Sequence, residues 1–267
     1  MSAVDPVRVA ALLGPRTRWR CIEVVAETGS TNDDVLARAG AGEPEGLVLL
    51  AGHQTGGHGR FDRRWEDVPG AGIALSALVR PEVPFERWTW LPLLAGLAVL
   101  QGLRDTCPDL GSRLGLKWPN DVLLDGDKCC GILAGSDLHA AVIGIGLNVS
   151  QTAEQLPVSG ATSLALAGVS VDADAVVAAV LARLDEQVGR WESGKTQSDG
   201  LLRDDYLRAS DTIGRDVRVQ LSASEAVEGR AVDIEAGGAL VVQLSDGERR
   251  SFAAGDVIHL RPKADAA

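Results

Sequence analysis

The stretch 114–134 constrains the fold more than any other part of the sequence. Two short apolar runs flank a Pro-Asn pair, and Asp125-Gly126 then provides the signal of a tight hairpin turn. The strand that returns over 128–134 is therefore expected to pair with 121–124. The chain is thus committed to an antiparallel sheet in this region.

The same hairpin brings together three polar side chains of the kinds that bind ligands or act in catalysis. Lys117 and Asn120 lie near its first turn, and Lys128 lies just after its second. A lone lysine in a hairpin is usually a solvated charge at a sheet edge. Two lysines and an asparagine held by two tight turns indicate a functional site instead.

A second stretch, residues 52–65, is rich in glycine and arginine. Its glycines and arginines are Gly52, Gly56, Gly57, Gly59, Arg60, Arg63 and Arg64. Glycine allows positive φ and close backbone approach to a ligand, and successive N–H groups can form an anion-binding concavity. Arginines add forked donors suited to phosphate. A mobile, solvated loop explains the same composition, and no regular P-loop spacing decides between the two.

Four segments in order resemble the sequence patterns of biotin protein ligases. They are Ser30-Thr31-Asn32, the glycine–arginine stretch, Lys117-Trp118-Pro119-Asn120-Asp121 with Lys128 and Gly131-Ile132-Leu133, and Gly144-Ile145-Gly146-Leu147-Asn148. The resemblance covers nearly the whole chain, from residue 22 to residue 262. K-W-P-N-D followed by K-x-x-G-I-L is specific, whereas the glycine patterns alone are not.

The resemblance implies an α+β fold, in which a mixed or antiparallel sheet is flanked by helices. Catalytic domains of class II aminoacyl-tRNA synthetases and of biotin and lipoate ligases have this fold. After Ile213, short alternating runs and an Asp-Gly turn predict a small C-terminal β-barrel. We expect a catalytic domain over 1–210 and a barrel domain over 211–267.

Local patterns predict several further elements. Thr31 is expected to cap a helix over 32–39, and an amphipathic helix is expected over 172–191. Residues 150–163 have the small, polar composition of a flexible lid. Residues 194–200 have the composition of a linker.

The family resemblance implies a two-step reaction. Biotin is activated with ATP, assisted by Mg²⁺, to biotinyl-5′-AMP, and biotin then passes to a lysine of the biotin carboxyl carrier domain of a biotin-dependent carboxylase. Two alternatives remain open: a lipoate–protein ligase, and a non-catalytic binding module on the same fold.

The resemblance also assigns roles to residues. The catalytic residues would be Lys128 and Arg60. Biotin would be bound by Ser30, Thr31, Asn32, Gln54, Gly57, His58, Gly59, Arg60, Lys128, Gly131 and Gly144. ATP would be bound by Arg60, Arg63, Trp65, Lys117, Asn120, Lys128 and Asn148.

The sequence departs from the family pattern at three positions. His58 replaces an arginine, Asp62 replaces a glycine, and Gly135 replaces a common acidic residue. The first two lie in the glycine–arginine stretch. They bear on how tightly the adenylate is held and not on the class of reaction.

Bulk properties exclude several other classes of protein. The formal net charge of −11 argues against a general affinity for nucleic acid or anionic membranes. No apolar run is long enough to span a bilayer, and residues 1–6 lack the features of a signal peptide, so we expect a cytoplasmic protein. Residues 1–20 are too short for a helix-turn-helix domain, as in ligases that lack an N-terminal DNA-binding domain. The four cysteines form no C-x-x-C pair and the histidines have no metal-ligand spacing, so no protein-held metal is predicted.

Overall fold

The structure is a computed structural model that describes residues 4–137, 139–156, 159–194, 196–222 and 224–260. A seven-stranded main sheet has the order β1-β2-β3-β7-β6-β5-β4. Its strands are β1 (Cys21–Val25), β2 (Leu47–Ala51), β3 (Gly72–Val79), β4 (Leu114–Lys117), β5 (Asp121–Leu124), β6 (Asp127–Ser136) and β7 (Ala141–Asn148). β1 and β2 are parallel and the other neighbouring pairs are antiparallel, which confirms the predicted mixed sheet and the 114–134 hairpin.

Helices cover both faces of this sheet. They are α1 (Pro6–Leu13), α2 (Thr31–Gly40), α3 (Leu91–Thr106), α4 (Ala173–Glu192) and α5 (Thr196–Ala209). Val48 and Leu50 of β2 join the core that contains α3 and α4, while Leu47 and Leu49 join a smaller core with α2. Successive side chains of a strand point to opposite faces, so β2 is apolar throughout because both faces are buried.

The two long helices pack closely on each other. Eleven of the sixteen residues of α3 are buried. A Cβ on Gly102 would lie 2.8 Å from the backbone nitrogen of Val180 in α4. The small residue therefore permits the close crossing that completes the core above the main sheet.

Two local predictions were wrong. Helix α2 begins at Thr31 and its N-cap is Ser30, whose backbone is extended and whose Oγ accepts from the Asp33 N–H at 3.4 Å. Two adjacent hydroxyl residues made the choice of cap ambiguous. The predicted linker 194–200 belongs mostly to α5, which begins at Thr196. Burial of Leu202 and Tyr206 further along the helix stabilises a segment whose own pattern is weak.

A second, C-terminal sheet contains five antiparallel strands in the order β11-β10-β9-β8-β12. The strands are β8 (Asp216–Gln220), β9 (Ala226–Ile234), β10 (Leu240–Gln243), β11 (Arg249–Phe252) and β12 (Asp256–His259). A small all-β unit after Ile213 is therefore present as predicted. Strands β11 and β12 form its two edges.

The C-terminal sheet is fixed to the rest of the molecule through the turn between β9 and β10. Trp90 and Trp118 donate their indole N–H groups to Ala236 O at 2.6 Å and to Gly238 O at 3.0 Å. The Thr89 hydroxyl donates to a third carbonyl of this turn. The sheet thereby holds the Trp-Pro turn that follows β4.

The segment 150–163, predicted to be a lid, is bonded to the main sheet near its end. The Lys128 N–H donates to Gly160 O at 2.7 Å, and the Thr162 N–H donates to Lys128 O at 2.9 Å. Residues 157–158 lie outside the described part of the chain. Closure of this segment over a ligand stays a prediction.

Candidate active site

The N-terminus of α2 forms one wall of the candidate site. Thr31 donates to Gln54 Oε1 through both its backbone N–H, at 2.8 Å, and its hydroxyl, at 3.0 Å. The Asn32 amide donates to Leu133 O on β6 at 3.0 Å. These bonds bring Ser30, Thr31, Asn32 and Gln54 together, as the sequence predicted.

Ser76 completes this polar group and was missed by sequence reasoning. Its fully buried hydroxyl lies 2.7 Å from Thr31 Oγ1 and 2.6 Å from Asn32 Oδ1. Buried polar groups need hydrogen-bond partners. The available signal was a single serine within the otherwise apolar strand β3.

Glycines on β6 and β7 leave room for the side chains of Asn32 and Trp65, which lie directly against them. A Cβ on Gly144 would lie 2.3 Å from Asn32 Oδ1, and one on Gly146 would lie 2.7 Å from the Trp65 ring. Gly131 pairs with Gly146 across the strands, and its Cβ would lie 2.8 Å from the same ring. The predicted glycines therefore make a floor on which Asn32 and Trp65 rest.

The glycine–arginine stretch forms a compact loop above this floor. The Trp65 N–H donates to Gly57 O at 2.9 Å, and the Gly59 N–H donates to Arg63 O at 2.6 Å. Phe61, at the tip, has φ of +57° and is largely exposed. A third backbone bond, from the Arg63 N–H to Arg60 O at 3.3 Å, also closes the loop.

Four predicted cations, Lys117, Lys128, Arg60 and Arg63, lie near one another. Lys128 Nζ is 2.5 Å from Asp121 Oδ1 and 5.6 Å from the centre of the Trp65 ring. Burial lowers the pKa of Lys117, and the nearby charges of Lys128 and Arg63 lower it further, while Asp121 opposes this. The cluster is therefore suited to a polyanion, which would relieve the repulsion between its members.

Arg60 lies at the centre of the loop side of this cluster. Burial lowers the pKa of its guanidinium, and the charge of Arg63 adds to the effect. Two cavities of about 280 Å³ and 270 Å³ both reach Arg60. The first continues to Trp118 and Asn120, and the second continues to Asn32 and His58.

The two predicted asparagines are bonded within the protein. The Asn120 side-chain amide donates to Ile132 O at 2.7 Å, which closes the turn before β5. The Asn148 amide donates to Thr162 O at 3.0 Å, and its Oδ1 lies 3.3 Å from Gln151 Nε2. Asn120 lines the first cavity, and Asn148 is bonded to the segment 150–163.

His58 faces an acidic residue that sequence reasoning did not anticipate. Its Nε2 lies 3.6 Å from Asp33 Oδ1 in the first turn of α2. The side chain of Asp62 lies outside the described part of the molecule. The pair arises between an α2 residue and a loop residue, so sequence proximity gave no signal for it.

The described ranges of the chain contain no cluster of three or more His, Cys, Asp or Glu side chains able to hold a metal ion. Nor does any helix there have the length and apolarity needed to cross a bilayer. The four cysteines are free, and Cys129 and Cys130 are fully buried, as small apolar residues are.

Comparisons with known proteins agree with this geometry. Residues 26–148 match the sequence model of the Biotin/lipoate A/B protein ligase family, and residues 212–260 match that of the Biotin protein ligase C terminal domain. The biotin–[acetyl-CoA-carboxylase] ligase of Mycobacterium tuberculosis is 41% identical over 94% of this chain and 93% of its own length. The bifunctional ligase/repressor BirA of Bacillus subtilis is 30% identical over 87% of this chain and 71% of its own.

Solved structures show the same architecture. The biotin protein ligase of Aquifex aeolicus in complex with biotin and ATP superposes with a TM-score of 0.74, at 25% identity, and covers 91% of this chain and 99% of that one. This chain and the Mycobacterium relative are 41% identical over nearly the full length of both proteins, which is typical of members of one family. The chain therefore belongs to the biotin protein ligases, a family of ATP-dependent ligases.

Proposed function

We propose that this protein activates biotin with ATP to biotinyl-5′-AMP and transfers biotin to a lysine of a biotin carboxyl carrier domain. One observation carries the proposal: the cluster of Lys117, Lys128, Arg60 and Arg63 adjoins the polar wall formed by α2 and Gln54. A polyanion site next to a small polar and glycine-lined site fits a nucleotide and a small acid side by side.

The chemistry explains why this arrangement suffices. Biotin carboxylate is a poor acyl donor, so its oxygen attacks the α-phosphorus of ATP and pyrophosphate leaves. The acceptor amine then attacks the carbonyl of the mixed anhydride, and AMP leaves as the amine proton is lost. Neither step requires a covalent enzyme nucleophile. The protein supplies positive charge, orientation and exclusion of water.

We assign residues by this logic. Lys128 and Arg60 stabilise the charge that develops on phosphate. Biotin is held by the polar wall and the glycine floor, through Ser30, Thr31, Asn32, Gln54, Gly57, His58, Gly59, Gly131 and Gly144. The nucleotide is held by Arg63, Trp65, Lys117, Asn120 and Asn148. A division into 1–210 and 211–267 is supported by the second sheet, which begins at Asp216.

Mg²⁺ belongs to the proposal as a partner of ATP. The described residues offer no ready metal cage, and the two acidic side chains beside the cations are paired, Asp121 with Lys128 and Asp256 with Arg63. A Mg²⁺ would therefore be held chiefly by the phosphates. Its contribution when bound is neutralisation of phosphate charge. A cytoplasmic location also stays a prediction.

The deciding experiment is transfer of labelled biotin to an apo carboxyl carrier domain in the presence of ATP. A carrier whose acceptor lysine is replaced by arginine is the control. We expect ATP-dependent labelling of the first carrier alone. Lipoate offered with a lipoyl acceptor domain tests the lipoate ligase. If neither biotin nor lipoate causes release of pyrophosphate from ATP, only the non-catalytic binding module remains.

A further inference from the structure

An acidic residue of the C-terminal sheet contacts the glycine–arginine loop. Asp256, the first residue of β12, forms an ion pair with Arg63. Its other oxygen lies 4.0 Å from Arg60 Nη1, and the same Arg60 nitrogen donates to Gly255 O at 3.0 Å. Two loop arginines are thus held by two consecutive residues nearly two hundred positions away.

The backbone at Gly255 is shaped for this contact. Gly255 has φ of +144°, a region that favours glycine, and a Cβ there would lie 2.8 Å from Val219 Cγ1. Glycine therefore lets the chain turn closely over β8 and present both its carbonyl and the Asp256 carboxylate to the loop.

The loop needs such an external anchor. At its tip, Phe61 is 59% exposed, and the Arg63 side chain is 61% exposed. An arginine side chain loses substantial rotamer entropy when it is fixed. Within the described residues, the cation cluster holds two carboxylate contacts: Asp121 with Lys128 on the hairpin side, and Asp256 with Arg63 on the loop side.

We propose that Asp256 is a positioning residue, which holds Arg63 and, together with Gly255 O, Arg60 in the orientation that receives the phosphates of ATP. The inference rests on the proposed function. A guanidinium has five N–H donors, so a contact through one terminal nitrogen leaves donors for phosphate. In the described part of the chain, no other side-chain hydrogen bond of either arginine is present.

The test compares Asp256→Asn with Asp216→Asn, an exposed aspartate at the start of β8 whose side chain has no contact in the described structure. Biotin-dependent pyrophosphate release gives the KM for ATP and kcat, and titration without nucleotide gives the affinity for biotin. We expect Asp256→Asn to raise the KM for ATP roughly tenfold, the scale of one charge-assisted contact. Biotin affinity, melting temperature and kcat should change little, and Asp256→Glu should recover much of the loss.

A double substitution sharpens the test. If Asp256 acts through Arg63, adding Asp256→Asn to Arg63→Gln should raise the KM for ATP by less than about threefold further, because the contact is already lost.

Three outcomes would overturn the inference. Asp256→Asn could match Asp216→Asn, or weaken ATP, biotin and stability together as a general structural defect does. It could also lower the KM for ATP, which would make the carboxylate a competitor of phosphate. Failure of the unsubstituted protein to release pyrophosphate would instead contradict the proposed function.

Discussion

The two sides of the cation cluster are built in different ways. On the hairpin side, Lys117 and Lys128 project from strands of the main sheet, and buried Trp118 between them is fixed by a bond to Gly238 O. On the loop side, Arg60 and Arg63 project from a loop that three backbone bonds close. Both sides contact the second sheet, but only the hairpin side is also part of the apolar core.

This difference shows where rigidity and adaptability are placed. A cation on a packed strand keeps its position before the ligand arrives, which preorganisation requires. A cation on a sparsely anchored loop can move to admit a ligand, because segments with few buried contacts open at low free-energy cost. The comparison predicts that hairpin substitutions change chemistry and stability, whereas loop substitutions change the retention of ligands.

The largest expected effect is that of Lys128→Ala. Losing one preorganised charge at the phosphate should cost about 3 kcal/mol of transition-state stabilisation, or roughly 10²-fold in the rate of adenylation. The fold should persist because the side chain is partly exposed. Single-turnover pyrophosphate release measures this, with Arg113→Ala, just before β4, as the control. A near-normal rate in a folded Lys128→Ala protein would remove Lys128 from the mechanism.

The second effect concerns pH and the anchoring of the hairpin side. Burial, with the charges of Lys117 and Arg215, lowers the pKa of His259 to about 4. Its Nε2 lies 3.1 Å from Thr212 Oγ1, which also accepts a hydrogen bond from the backbone N–H of Trp118. Below pH ~6.5 the unfolded chain binds a proton that the folded protein does not, so stability falls as pH drops toward ~4.

The contribution of His259 should stay below about 3 kcal/mol at the acid end, because solvent partly screens a side chain that is not fully buried. Denaturant unfolding of His259→Gln should show a shallower loss of stability between pH 6.5 and 4 than unfolding of the unsubstituted protein. Identical slopes in the two proteins would mean that His259 does not cause the acid sensitivity.

The third effect is a difference in the free energy of unfolding between a hairpin variant and a loop variant. Trp118→Phe removes the indole donor from Gly238 O at a fully buried position and should cost about 2 kcal/mol. Arg64→Gln, an exposed loop substitution, should cost less than about 0.5 kcal/mol. Urea unfolding of both variants measures the contrast. Equal losses would mean that the loop is as much part of the core as the hairpin.

The smallest effect concerns retention of the adenylate by the loop. His58→Arg introduces a permanent charge beside the second cavity, and a partly exposed contact of this kind is worth about 1 kcal/mol or less. Dissociation of preformed biotinyl-adenylate should slow by up to roughly fivefold, with little change in kcat. His139→Arg, remote from the loop, provides the control. Unchanged release would mean that the side chain at 58 does not hold the intermediate.

The same contrast explains what the sequence could predict. The hairpin was predicted because its turn chemistry and apolar runs are local, and local signals survive folding. The glycine–arginine stretch was recognised by composition and family pattern, but its geometry depends on Asp256, Gly255 and Asp33, which adjacency does not reveal. The roles assigned to individual site residues remain predictions.

Errors at the level of elements have the same origin. Residues 196–200 carry polar residues and a glycine, and they are helical because α5 as a whole packs against α4 and β4. Tertiary contact overrode a weak local preference there. Ser30 and Thr31 are both suited to the N-cap position of α2. The Thr31 hydroxyl is bonded to Gln54, and Ser30 is the N-cap.

The turn between β9 and β10 has a consequence for how the molecule unfolds. It accepts donors from Thr89, Trp90 and Trp118, and a single apolar cluster includes residues of both sheets, among them Leu116 and Leu240. Separating the sheets would expose that apolar surface and leave two buried indoles without acceptors. The two sequence regions should therefore melt as one cooperative unit, with calorimetric and van't Hoff enthalpies that agree. Two resolved transitions would show instead that each sheet is a folding unit of its own.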